Sequence, residues 1–331
     1  MKAALRRVLG AAAAICAAAG AVPAHAGEDQ ADKQDRAEDS AAEPAGAASG
    51  FDLAMAVQAA SPRQENGVPP EGTPTVFDGN WINVGIGAGL IPTYSGSDDY
   101  FVFPLPLLTG RVGGVGFRPS GAGMVFDVLS PQPSVLAQAQ KPQVSFGPAF
   151  RLRVERAVDS RDEVVEAAGR LDRALELGLA GGVTFPGVIH SLDSVTIGTS
   201  VRWDILGAHK GRVIEPAVSY LTPLSRGILV QVSATMEIVD DNFARYYQSV
   251  NPQQSAASGL PVFDATGGLN RAGINLTAAF DLDGNALNGG FNIFTVAGYS
   301  RMLGDGANTP FTRLRGRPDQ FLIGLGLGYT F

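Results

Sequence analysis

The chain closes with the stretch Gln320-Phe-Leu-Ile-Gly-Leu-Gly-Leu-Gly-Tyr-Thr-Phe331, which predicts the fold. Read with a period of two, its large apolar residues share one face: Phe321, Ile323, Leu325, Leu327, Tyr329 and Phe331. The other face carries Leu322, three glycines and Thr330. An apolar face toward lipid and a small or polar face toward a lumen is typical of an outer-membrane β-strand. A soluble edge strand of this kind would leave an unprotected aggregation edge. We interpret Tyr329 and Phe331 as a terminal assembly signal for the barrel-assembly machinery.

The amino-terminal end has the pattern of a secretory signal peptide. Met1–Arg7 is positively charged, Val8–Gly20 is apolar, and Ala24-His25-Ala26 is a small-residue cleavage site. We therefore predict a signal peptide over 1–26, export through the Sec pathway and cleavage near Ala26. The apolar stretch is shorter than the roughly 20 residues that a membrane-spanning helix needs.

Cys16 is the single cysteine of the chain and raises the alternative of a lipid anchor. Ile15 stands where a lipoprotein signal needs a small residue, so we favour cleavage after Ala26. The mature chain then has no cysteine, which excludes disulfide frameworks and cysteine metal sites.

Composition favours strands over helices as the membrane-crossing elements. Hydrophobic residues make up 45% of the chain, 42 of its 331 residues are glycine, and no window after Gly20 resembles a helical span. The net charge of −7 becomes about −10 when Lys2, Arg6 and Arg7 leave with the signal peptide. This acidic balance argues against nucleic acid as a partner.

The mature chain divides into two parts. Residues 27–78 are rich in Ala, Asp, Glu and Pro and poor in aromatic residues, which predicts a disordered acidic periplasmic segment. Strand patterns run from residue 79 to 331, where we predict an all-β, antiparallel, transmembrane outer-membrane barrel.

Strand number follows from parity, because bacterial single-chain barrels have an even number of strands. Ten strands are clear, and Arg118-Pro-Ser-Gly121 is a turn signal that splits the stretch 112–130 into two more. We therefore predict 12 strands, with 10 as the alternative if this hairpin lies outside the wall. The long connections 155–172, 241–269 and 304–319 then lie on the outer side, and the shorter turns face the periplasm.

Charged residues recur only on the small-residue faces of these strands, which predicts that they line the lumen. They carry both signs and are Arg151, Arg153, Glu176, Arg202, Asp204, Glu215 and Glu237. Charges of both signs suit either a narrow pore or a closed ion-pair network.

Three separated motifs resemble the MipA/OmpV family of MltA-interacting outer-membrane proteins. The first runs from Gly85-x-Gly87-x-Gly89 to Tyr100, followed by Pro104-Leu-Pro106; the second includes Tyr246-Tyr247 and Ser258-Gly259-Leu260-Pro261. The third is Gly298-Tyr-Ser-Arg-Met-Leu-Gly-Asp305 with the closing strand, and the resemblance covers 79–331. Its loop residues are Pro92, Tyr94, Gly96, Ser97, Asp98, Ser258, Gly259 and Leu260. Thr309-Pro310 stands where a Ser-Pro is usual in the family.

The resemblance implies a scaffold that links a lytic transglycosylase, which degrades murein, to a penicillin-binding protein, which synthesises it. Other family members are described as antibiotic-responsive or adhesion-related, and a channel for small solutes is the alternative function. The expected surroundings are outer-membrane lipid and lipopolysaccharide. Any murein enzyme must dock from the periplasm, so we expect the contact at 27–78 and the periplasmic turns.

Enzyme chemistry has little support in the sequence. His190 and His209, the histidines of the mature chain, stand beside no nucleophile motif, and no cofactor motif is present. Asp281-x-Asp283 begins like a calcium loop but lacks the required Gly and Glu, which favours a tight turn. Asp98-Asp99 and Asp240-Asp241 lie at loop edges, where acids are usually solvated but can bridge cations to lipopolysaccharide.

Overall fold

The computed structural model describes residues 75–130, 141–156 and 162–331. The expected signal peptide, Cys16 and residues 27–74 of the expected periplasmic segment lie outside these ranges. The described chain begins with a 3-10 turn over Val76–Asp78 and continues directly into the first strand.

Twelve strands are formed within the described residues. The first six are β1 (Trp81–Pro92), β2 (Tyr100–Val112), β3 (Val115–Pro119), β4 (Gly123–Asp127), β5 (Gln143–Arg153) and β6 (Ala174–Pro186). The other six are β7 (Ser194–Asp204), β8 (Arg212–Ser225), β9 (Ile228–Val239), β10 (Gly268–Asp281), β11 (Gly290–Met302) and β12 (Asp319–Thr330).

These strands form one closed antiparallel barrel in which every strand pairs with its neighbours in sequence and β12 pairs with β1. The predicted 12-stranded barrel is therefore confirmed. The stretch 112–130 splits into β3 and β4, which pair with β2 and β5 inside the wall, so the 10-strand alternative is wrong. At five residues each, these two strands are the shortest of the wall.

Alternation along the strands separates a lipid face from a lumen face. Outward residues are exposed and apolar, as with Ile86 at 71% and Leu325 at 61% exposure. Their chain neighbours on β1 and β12 are glycines. This arrangement follows from the two-residue period of a strand and the low tolerance of lipid for polar groups.

Glycines also meet where the barrel closes. Gly85, Gly87 and Gly89 of β1 lie opposite Gly328, Gly326 and Gly324 of β12, and we call this pairing the glycine seam. A Cβ atom added at Gly87 would lie 2.7 Å from the Cα atom of Gly326, so a larger residue there pushes the strands apart. The ring of Phe294 on β11 fills the space beside the seam.

The described helices are short and lie in three connections. They are α1 (Glu163–Ala167), α2 (Asp241–Gln248), α3 (Pro252–Ser258), α4 (Gly304–Asn308) and α5 (Pro310–Arg313). All follow odd-numbered strands, so they lie at the end of the barrel opposite the described terminus Phe331. We call this the long-loop end, and the other the short-turn end. No helix in the described ranges is long and apolar enough to cross a bilayer.

Candidate functional site

The lumen faces of β5 to β9 bring together six of the seven charged residues predicted to line the lumen. Arg151 and Arg153 come from β5, Glu176 from β6 and Arg202 from β7. Glu215 and Glu237 come from β8 and β9. Each lies near the long-loop end of its strand, and the strand period turns each side chain inward. The six therefore meet at one level of the barrel.

Glu176 is enclosed by cations. One of its carboxylate oxygens accepts a hydrogen bond from Arg153 Nε, and the other accepts from Arg202 Nε at 3.1 Å. The exposed fraction is 0% for Glu176 and 1% for Arg202. A buried charge of this kind is tolerated only when it is paired and hydrogen-bonded.

Glu215 and Glu237 complete the arrangement. Glu215 Oε2 lies 2.7 Å from Arg151 Nη1 and 3.0 Å from Arg202 Nη2. Glu237 Oε2 lies 2.6 Å from Arg153 Nη2 and 3.6 Å from Arg151 Nη1. Within this set of six, each arginine thus contacts two of the glutamates and each glutamate two of the arginines. We call this closed cycle of three arginines and three glutamates the charge ring.

Asp204, the seventh predicted residue, is not a member of the charge ring. It ends β7, and its carboxylate accepts hydrogen bonds from the backbone N–H groups of Leu206 and Lys210, both at 3.0 Å. It therefore shapes the turn between β7 and β8, because a strand-end aspartate satisfies nearby backbone donors.

Further residues touch the charge ring and were missed by sequence reasoning, among them Arg271, Asn270 and His209. Arg271 Nη2 lies 3.3 Å from Glu237 Oε2, and Asn270 Nδ2 donates to Glu237 Oε1 at 2.8 Å. The register between β9 and β10 shifts between Leu269 and Arg271, and a bulge defeats a period-two reading. His209 Nε2 lies 3.5 Å from Glu176 Oε1 and arrives from a turn, where no strand period applies.

Above the charge ring, the long loops pack against one another. Their buried apolar cluster, which we call the cap, consists of Tyr94, Val165, Ala168, Val250, Leu260 and Phe311. The Tyr94 hydroxyl contacts the carbonyl oxygens of Phe311 and Arg315, both at 3.3 Å. The cap joins four connections of the long-loop end into one covering.

The family-motif residues build this covering. Tyr94 and Leu260 belong to the cap itself, and Ser97 is buried, with its carbonyl accepting from Gln320 Nε2 at 2.9 Å. Gly96 has a φ of 98°, which disfavours any residue with a side chain, and it packs directly against Thr312. Both the backbone conformation and the lack of space therefore require glycine at this position. The other members are placed as follows: Pro92 ends β1, Asp98 is exposed, Ser258 ends α3 and Gly259 caps that helix with a φ of 74°.

Asp162 ties two of the loops together. Its carboxylate caps the start of α1 through the N–H of Val164 at 2.9 Å and accepts from Arg315 Nε at 2.8 Å. Burial alone would raise the pKa of Asp162, but the hydrogen bonds from Arg315, Val165 and Val164 outweigh it, so the pKa lies below its usual value.

The other sequence candidates have backbone-capping roles. Asp281 Oδ1 accepts from the N–H groups of Asp283 and Asn285 at 3.1 and 3.0 Å, as in the predicted tight turn. Asp240 accepts from the N–H of Phe243 at 3.0 Å and so caps α2, and Asp241 accepts from Gly267 N–H at 2.8 Å. At the carboxy terminus, the rings of Tyr329 and Phe331 lie 4.7 Å apart.

The charge ring is an internally paired network on the lumen faces of β5 to β9. Its carboxylates are held by guanidinium groups, and a carboxylate so held is a poor general base. Among the described residues, no group of three or more His, Cys, Asp or Glu side chains is arranged to hold a metal ion. The structure thus has a lumen crossed by paired charges and covered by packed loops.

Comparison with solved structures returns outer-membrane proteins at low similarity. The outer membrane protein OprD from Pseudomonas aeruginosa is 11% identical with a TM-score of 0.29, over 77% of this chain and 66% of that one. The CymD monoaromatic hydrocarbon channel is 10% identical with a TM-score of 0.30, over 76% and 88%. OmpT of Vibrio cholerae is 7% identical with a TM-score of 0.26, over 76% and 97%. Likenesses this weak carry no functional information.

A search of curated proteins finds no match. The family model described as MltA-interacting protein MipA, by contrast, matches residues 84–331. That range runs from β1 to the last residue and includes the charge ring, the cap and the glycine seam. It is also well over half of the chain, so the chain belongs to the MipA family.

Proposed function

We propose that this outer-membrane barrel of the MipA family is a non-enzymatic scaffold that joins a lytic transglycosylase to a penicillin-binding protein. The observation that carries the proposal is the charge ring, whose members Glu176 and Arg202 are closed to solvent. A lumen crossed in this way suits a protein that works through its surfaces rather than through a pore. The family description, an MltA-interacting protein, supports a protein partner.

The short-turn end offers a surface for that partner. Barrels of this class place their short turns in the periplasm, where murein and its enzymes lie. Between β6 and β7 the turn presents Val188 and Ile189, which are 53% and 75% exposed. Leu224 and Leu282 are also exposed, near the neighbouring turns of this end. Exposed apolar residues beyond the lipid face favour a protein contact.

Asp193 holds this turn in one shape. Its carboxylate accepts from the N–H groups of Val188 at 2.7 Å and Ile189 at 3.0 Å, and from the Tyr220 hydroxyl at 2.9 Å. Burial alone would raise the pKa of Asp193, but these hydrogen bonds outweigh it and lower the pKa. A turn held in its bound shape loses less entropy on docking.

An affinity pull-down from detergent-solubilised envelopes tests the proposal, with the mature protein as bait. We expect it to recover murein synthases and lytic transglycosylases, and an Ile189→Asp bait to recover far less of them. Leu314→Asp is the matched control, because Leu314 is 55% exposed at the opposite end of the barrel. A bait that lacks residues 27–78 tests whether that segment contributes to docking, through the amount of murein enzymes it recovers.

One result would contradict the scaffold, and another would contradict the assigned docking surface. Recovery of general envelope proteins alone would favour a surface role in adhesion or antibiotic response. Equal loss of the murein enzymes with Ile189→Asp and Leu314→Asp would show that the short-turn end is not the docking surface.

A further inference from the structure

Beneath the cap, the structure encloses a small cavity at the long-loop end. Arg156, Tyr247 and Phe311 are among the residues that line it. The cavity has a free volume of about 10 Å³. That is room for one water-sized particle.

Arg156 enters this cavity with unused hydrogen-bond donors. It is 5% exposed, and its Nη2 donates to the Gly169 carbonyl at 3.0 Å. Its Nε and Nη1 atoms are buried and have no acceptor. Its guanidinium carbon lies 3.9 Å from the centre of the Phe311 ring, which supports one face of the cation.

The backbone of Arg156 is strained in this position. Its φ of 53° lies in the left-handed region, which a non-glycine residue rarely adopts. Such strain persists where the surroundings enforce it, and it clusters at binding sites. The fold thus holds this guanidinium under the cap at a cost in backbone energy.

Arg156 also makes no direct ion pair among the described residues, and the nearby Glu155 carboxylate offsets only part of its buried charge. Glu155, which lines the same cavity, is paired with Arg153 Nη1 at 3.1 Å. Burial lowers the pKa of Arg156 to about 10, so the group stays cationic at neutral pH. A buried cation without a direct counter-ion is unfavourable.

Tyr247 supplies a second donor to the cavity. Its hydroxyl is buried without a hydrogen-bond partner, and burial raises its pKa, so it keeps its proton. A charged guanidinium and a neutral phenol that line one cavity, each with buried donors that lack an acceptor, make a site for an acceptor with negative charge.

We propose that this cavity binds one halide-sized anion, chloride in the cell, between the guanidinium of Arg156 and the hydroxyl of Tyr247. A water molecule would accept the hydrogen bonds but leave Arg156 without a direct ion-pair partner. Carboxylates and phosphates exceed the space. The bound ion would stabilise the cap, since an ion that binds only the folded state adds to its stability.

Crystals of the detergent-solubilised mature barrel, grown in sodium bromide, test the site directly. We expect a bromine anomalous peak within hydrogen-bond distance of Arg156 Nε and Nη1. An ordered density at that place without anomalous signal would be water and would overturn the proposal, as would an empty cavity.

Thermal unfolding provides the second measurement, with chloride exchanged for the larger gluconate at constant ionic strength. We expect the Tm of the mature barrel to rise by roughly 3 °C for each tenfold increase in chloride above the dissociation constant. Arg156→Met should abolish this dependence, and Arg313→Met, which changes an exposed arginine of α5, should retain it. The site would be refuted if the Tm of the unmodified protein did not change with chloride concentration. It would also be refuted if the Tm of Arg156→Met depended on chloride as strongly as that of the unmodified protein. If Arg156→Met does not fold, the bromide experiment decides.

Discussion

Glu176 is the member of the charge ring whose loss should cost most, because two guanidinium groups depend on it in a space closed to solvent. Glu176→Ala leaves Arg153 and Arg202 each with one partner fewer. Removing one partner of a buried ion pair typically costs about 3–5 kcal/mol. We expect a loss of that order in the free energy of unfolding, measured by urea titration in lipid vesicles with tryptophan fluorescence.

The matched control for Glu176→Ala is an exposed ion pair on the outer face of the barrel, at the long-loop end of β11 and β12. Arg301 Nη1 lies 2.8 Å from Asp319 Oδ1, with side chains 54% and 35% exposed. Arg301→Ala should leave the unfolding curve almost unchanged, because exposed pairs contribute little. Similar losses in the two variants would mean that the charge ring is solvated in the membrane.

Asp162 should make the loops sensitive to acid. Its pKa is lowered in the folded protein, so the stabilisation is fully present above the unfolded value of about 4 and is lost as pH falls through the folded value. We expect faster amide exchange over α1 below pH 4, after correction for the intrinsic rate. Asp162→Asn should show fast exchange at neutral pH and no further rise in acid. An unmodified protein whose α1 stays protected at pH 3 would disagree with this account.

At the scale of the element, β1 and β12 approach one another through the glycine seam. Gly87→Ala places a methyl group against the Leu325 carbonyl and 2.7 Å from Gly326 Cα. The strands must separate, and overpacking of this kind costs about 1–3 kcal/mol. We expect a smaller heat-modifiable folded fraction on gel electrophoresis. Gly79→Ala is the control, because nothing lies within 4 Å of a Cβ atom there, and equal folded fractions for the two variants would show that the seam tolerates side chains.

The strands were predictable from sequence, and the loop helices were not. The last strand was expected over 320–331 and is β12, Asp319–Thr330, because a period of two needs only local sequence. The hairpin at 112–130 was found from one turn signal. In contrast, α2 owes its place to the packing of Phe243 and Tyr247 with Val213 of β8, which is distant in sequence. Packing of that kind leaves no local signal.

For the same reason, the charge ring could be predicted only in part. Its six members lie on regular strands, so alternation gave their direction. Alternation does not predict whether these side chains form ion pairs with one another, because that depends on the register of four pairs of neighbouring strands at once. The contacts of Arg271 and His209 with the charge ring were not predicted, because a bulge sets the direction of Arg271 and a turn sets that of His209.

For the whole molecule, a lumen crossed by the charge ring and covered by the cap should not conduct ions. We expect planar bilayers that contain the pure protein to show no unitary currents in 1 M KCl. Arg202→Ala should also stay silent, because Arg151 and Arg153 still contact Glu215 and Glu176. Steady unitary conductance that changes its ion selectivity in Arg202→Ala would place the permeation path through the charge ring.

The charge ring has one more consequence, which concerns electric fields. A potential of 100 mV does about 2.3 kcal/mol of work on each elementary charge that crosses the membrane. Voltage sensors exploit this work by moving a set of charges of one sign. The ring contains three positive and three negative groups, so moving it as a unit transfers no net charge. A field across the outer membrane therefore does no net work when the ring is displaced as a unit, so the pairing of these charges should not depend on the potential between the cell surface and the periplasm.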